Sequence, residues 1–132
     1  MNRISSFFFG FSILYGIAGI GLGLMMASSQ VHTHAPVHTH VQLLGWVSFA
    51  LFGFFYHVFP AAAAGIMAKV HAVLAILSSI VMLATLFMLY DGNPAVEPVL
   101  AIASLVYGVS YLAFALAMAP VIAGRLGRPA TP

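Results

Sequence analysis

Four apolar runs dictate what this chain can become. They cover residues 4–26, 41–59, 70–90 and 96–119, and each is about the length a helix needs to cross the ~30 Å hydrocarbon core of a bilayer. No water is present at that depth to satisfy backbone N–H and C=O groups, so a spanning segment must close its hydrogen bonds within itself. The expected fold class is therefore an all-α membrane protein: one four-transmembrane-helix bundle occupying residues 1–132. Composition agrees, with 63% hydrophobic and 5% charged residues against roughly 45–50% and about 25% in a soluble domain.

The connections are short. Residues 27–40 are rich in histidine, residues 60–69 are small and mostly alanine, and residues 91–98 hold turn formers and both acids. Asp91-Gly92-Asn93-Pro94 reads as a turn, because Gly and Asn tolerate positive φ and Pro blocks helix continuation. Residues 1–29 also resemble a signal peptide, with Arg3 before an apolar stretch and Ala27-Ser28-Ser29 at its end. That stretch is longer than the ~7–15 residues of a signal core, which favours a retained span.

Charge placement orients the bundle. Arg3, Lys69, Arg125 and Arg128 fall on one side and Asp91 and Glu97 on the other, so the positive-inside tendency expects both termini in the cytoplasm of a bacterial inner membrane. The formal net charge of +2 is then a marker of topology and does not argue for nucleic acid. In the first run Gly16, Gly19, Gly21 and Gly23 cluster, and Gly19 and Gly23 have the spacing of a small-residue packing motif, in this chain or against another.

Cysteine is absent, which excludes disulfides, iron–sulfur clusters, thiolate metal sites and thioether-linked haem. Metal or haem chemistry must rest on the six histidines. His32, His34, His38 and His40 cluster before the second run as two His-x-His pairs that suit copper or zinc, and for His32 and His34 a solvated loop explains the pattern equally well. Met25 and Met26 lie nearby as thioether donors for cuprous copper.

His40 and His57 are about 25 Å apart along one helix and cannot share an ion. His57 and His71 flank the alanine-rich connection and are expected to face each other across a hairpin. At about 100° per residue, Gly53, Ala50 and Trp46 share the face of His57 and leave a groove that would admit a flat macrocycle, or simply a neighbouring helix.

The stretch from His38-Thr39-His40 through Leu43-Leu44-Gly45-Trp46 to Gly53, Tyr56, His57 and Pro60 resembles the second transmembrane helix of the haem–copper oxidase superfamily's catalytic subunit, particularly nitric oxide reductases and cbb-type oxidases. Its His-x-His opening is also similar to that of a haem- and copper-containing membrane protein family linked to nitric oxide stress. Ala68-Lys69-Val70-His71 is similar to the start of the superfamily's next helix. The resemblance spans roughly residues 38–75.

It implies a low-spin haem b with His40, or His38 in a shifted register, as axial ligand. A second axial ligand would come from His38, from the histidine-rich connection or from a neighbouring copy. The superfamily's catalytic subunit has three arcs of four helices and this chain has one arc's worth, so a homo-oligomer, trimer or dimer, is expected. The function expected is a haem b protein, with His38, His40, His57 and His71 as cofactor ligands, acting in electron transfer, gas sensing or a respiratory or nitric oxide pathway with a respiratory redox partner.

The alternatives are a periplasm-facing copper or zinc protein or oxidase assembly factor using His32, His34, His38 and His40, and an accessory subunit with incidental histidines. Redox chemistry stays open. Hydrolysis and proton pumping are disfavoured because Asp91 and Glu97 both lie in an outer connection, and no span carries a carboxylate.

Overall fold

The computed structural model describes residues 1–124; Arg125, Arg128 and the rest of the C-terminal segment lie outside the described residues. The described chain is helical, with no strands. Four helices are long and apolar enough to cross a membrane: α1 (Arg3–Ser29), α2 (Ala35–Val58), α3 (Ile66–Tyr90) and α4 (Glu97–Ile122), the last preceded by a 3₁₀ turn at Pro94–Val96. A short helical turn, Pro60–Ala64, links α2 to α3.

Local chemistry sets the ends. Asn2 caps α1 by accepting from the Ser5 N–H. After α3 the chain reverses at Gly92, whose φ of 94° only glycine adopts without strain, and Asn93 accepts from the Ala95 N–H to start the 3₁₀ turn.

The connections are shorter than their polarity suggests. Residues 27–40 were expected to be loop, yet α1 runs to Ser29 and α2 opens at Ala35. Pro36 stands in the first turn of α2, where its missing N–H costs nothing. Likewise α3 begins at Ile66, inside the alanine-rich connection.

The bundle is two tight helix pairs. α3 and α4 pack closely along their length, and both carry small buried residues, Ala68, Ala72 and Ala75 on α3 and Ala103, Ala113 and Ala117 on α4. α1 and α2 approach through glycine. A Cβ on Gly45 would sit 2.6 Å from Tyr15 Cγ, and one on Gly19 would sit 2.6 Å from Gln42 Cδ. Trp46 lies against Gly16 and His38 against Gly23, while Gly21 faces open space. Gly16, Gly19 and Gly23 thus serve packing within this chain.

Rings fill the seam between the pairs: Phe8, Phe49, Phe52, Tyr56, His71 and Phe114 lie in mutual contact.

One stretch of α2, Val41–Val47, is π-helical. A π turn leaves carbonyls out of the regular ladder, and side chains take them here. Ser12 donates to Trp46 O at 2.9 Å, Tyr107 to Leu44 O at 2.6 Å and Ser48 to Leu43 O at 2.8 Å. Two of these donors come from α1 and α4, so the irregular segment is where neighbouring helices are tied to α2.

Candidate functional site

The helix directions bring four of the six histidines to one end of the bundle. His32 and His34 precede α2, and His38 and His40 lie in its first turns. Asp91 and Glu97 share that end, while Arg3, His57 and Lys69 lie at the other.

His38 and His40 are two residues apart on a helix, so they project about 200° apart. His38 turns to α1, where its Nδ1–H donates to Gly19 O at 2.8 Å, in a space that Gly23 leaves open. His40 donates from Nδ1 to Pro36 O at 2.7 Å, one turn back on its own helix. A carbonyl only accepts, so in both rings Nδ1 carries a proton, and in the neutral imidazole Nε2 then keeps its lone pair. That arrangement is typical of a metal-ligating imidazole, whose second nitrogen is held by a carbonyl or carboxylate.

The two rings differ in what lies before them. His40 forms part of the wall of a cleft of about 330 Å³ with Leu44, Met82, Leu86, Tyr107 and Tyr111. Tyr111 donates to Ser48 Oγ at 2.8 Å and Tyr107 to Leu44 O, which holds both rings upright along the cleft. The cleft joins α2, α3 and α4 immediately beside the π-helical segment.

His34 has a different setting. Its ring stacks on Phe87 with centroids 4.5 Å apart, and its Nε2 approaches Asp91 Oδ1 at 3.9 Å. That nitrogen is buried and has no hydrogen-bond partner. His32 is exposed, in the turn before His34. His32, His34, His38 and His40 therefore do not converge on one point, and among the described residues no three histidine or carboxylate side chains stand ready around an ion.

At the opposite end, the expected pairing of His57 with His71 is not found. His57 is exposed. His71 is fully buried, and its Nδ1 is hydrogen-bonded to Tyr56 Oη at 2.9 Å. The groove expected beneath His57 is also filled, because the Phe9 ring occupies the space at Gly53, at about 3.1 Å from a Cβ built there. The physical reason is tertiary: Ala50, Gly53 and His57 lie on the regular α-helical part of α2, and α1 packs Phe9 and Ser5 onto that helix at Gly53, with Ser5 Oγ donating to Gly53 O at 2.8 Å.

The residue that sequence reasoning passed over is Tyr56. It was noted only as part of a resemblance, whereas it is the polar partner of the one fully buried histidine. Its signal was the adjacent Tyr56-His57 pair, in which only one side chain can face inward.

Comparison with family models, with curated proteins and with solved structures yields no match.

Proposed function

We propose that this chain is a multi-pass protein of a bacterial inner membrane that binds a b-type haem through His40, with both termini cytoplasmic and the histidine-rich end on the outer side. The observation that carries the reading is the His40 ring itself. Its Nδ1 is tied to Pro36 O, which in the neutral ring leaves the Nε2 lone pair for a ligand, and it stands in the wall of an apolar cleft between three helices.

The lining fits the group. Leu44, Met82 and Leu86 offer the apolar contact a macrocycle needs, and imidazole is a common protein ligand to haem iron. When bound, haem would supply one-electron redox chemistry or a site for a diatomic gas. His40 would hold it, and the Pro36 carbonyl would fix the ring's tautomer and orientation.

His38 faces α1 and cannot serve the same iron, so a second axial ligand would come from within the cleft, where Met82 is the sulfur donor, or from a neighbouring copy in a homo-oligomer. Electron transfer with a respiratory partner, or gas sensing, follows from this reading.

The test is the absorption spectrum of the purified protein with and without dithionite. Wild type should show a reducible b-type Soret band. His40→Ala should lose it, and His57→Ala should keep it because His57 faces outward. An unchanged band in His40→Ala, or a colourless wild type from haem-replete cells, would end the proposal.

A further inference from the structure

We propose that His34 and Asp91 are the preset half of a divalent transition-metal site, of the zinc(II) or copper(II) class, with His32 as its third protein ligand. The site would clasp the α1–α2 connection to the α3–α4 connection. It does not rest on the haem reading, since it uses none of the residues of the His40 cleft.

Four observations converge. The His34 ring is not a free side chain: it is stacked on Phe87 in the last turn of α3, and the side chain is only 13% exposed. Its Nε2 is shielded from solvent and lacks a hydrogen-bond partner, a state that costs ~1–3 kcal/mol for a buried polar atom and asks for an explanation.

The nearest acceptor is Asp91 Oδ1 at 3.9 Å. A direct charge-assisted hydrogen bond would close to roughly 2.7–2.9 Å. Two ligands about 2.1 Å from a tetrahedral ion stand roughly 3.4 Å apart. The observed gap is nearer to the bridged geometry, and the Asp91 side chain, 69% exposed, is free to cover the remainder.

Access and ligand supply complete the case. Asp91 lies at the end of α3 beside Gly92, open to the aqueous side, so an ion reaches the pair without crossing the bundle. His32 sits two residues before His34 in the same turn, exposed and making no side-chain hydrogen bond. Rotation of that side chain brings a second imidazole, and water takes the fourth position. Two imidazoles and a carboxylate are a borderline-to-hard set, which suits zinc(II) or copper(II) better than cuprous ion. His38 is turned to α1 and His40 into the α2–α3–α4 cleft, away from His34 and Asp91, so both stand outside the set.

The experiment is a titration of the purified, chelator-stripped full chain in detergent with Zn²⁺, read by competition with a chromophoric chelator and by the thermal midpoint. One Zn²⁺ should bind per chain and raise the midpoint. Asp91→Asn and His34→Gln should each weaken binding about tenfold or more and abolish the Zn²⁺-dependent rise, with the metal-free midpoint of Asp91→Asn unchanged because that side chain is exposed. His38→Ala and His40→Ala should bind as wild type does. Absence of saturable binding, full affinity in Asp91→Asn, or loss of binding in His40→Ala would each overturn the assignment. None of these readouts depends on haem.

Discussion

Tyr56 and His71 are hydrogen-bonded in the aromatic seam between the two helix pairs, Oη to Nδ1 at 2.9 Å, with His71 at 0% exposure. Phe8 stacks on the imidazole at 4.9 Å and Phe52 meets it edge-on at 4.5 Å, so neither water nor lipid reaches it. His71 Nε2 has no partner. The bond therefore governs whether this imidazole has any polar contact at all.

Tyr56→Phe should destabilise the fold by about 1–2 kcal/mol. That exceeds the ~0.6 kcal/mol average for membrane side-chain hydrogen bonds, because the imidazole is left fully unpaired inside protein. The double variant Tyr56→Phe/His71→Leu should recover part of the loss. Reversible unfolding in mixed SDS micelles measures both, and a double variant as unstable as the sum of the singles would contradict the account.

Glycine substitutions should rank by what their new methyl meets. Gly45→Ala strikes Tyr15 Cβ at 2.8 Å, an atom fixed to the α1 backbone, so the helices must part, at about 1–3 kcal/mol. Gly19→Ala meets the far end of Gln42, which can swing aside, and should cost less. Gly21→Ala points into open space and should be near neutral. The same micelle assay gives the order.

Tyr107→Phe frees the Leu44 carbonyl in the π-helical segment and should cost about 1 kcal/mol. It also removes a restraint on the wall of the His40 cleft. Hydrogen exchange of the α2 amides around Leu44 should quicken in this variant, while those of Ser48–Val58 stay protected.

Topology reporters test the orientation. A reporter inserted at Gly92 should behave as periplasmic and one fused after Pro132 as cytoplasmic, since Arg3 and Lys69 lie at the end opposite Asp91 and Glu97. A cytoplasmic Gly92 reporter would invert the bundle and place the histidine-rich end inside.

Hydropathy made the four helices legible to within a few residues at most ends, because an apolar run of this length has few other solutions. Polarity misled at the start of α2, where Pro36 and the histidines read as loop although a proline in the first turn is compatible with helix. At the other end of α2 the error was rotational. Tyr56 and His57 differ by about 100° of helix face, and the choice between them depended on how α1 and α3 pack onto α2, which hydropathy does not register.

Residue types alone determined the helical class, the number of helices long and apolar enough to cross a membrane, the segregation of Arg3 and Lys69 from Asp91 and Glu97, and the reliance of any metal chemistry on histidine. Those properties depend on composition and order along the chain. Tertiary structure decided which imidazole nitrogens are spoken for. His38 went to Gly19 O, His40 to Pro36 O, His71 to Tyr56, and His34 to the edge of Asp91. Apart from the His40 bond, which closes within its own helix, each outcome depends on helix rotation and on which carbonyl or ring a neighbouring element presents, and the order of residues along one helix fixes neither.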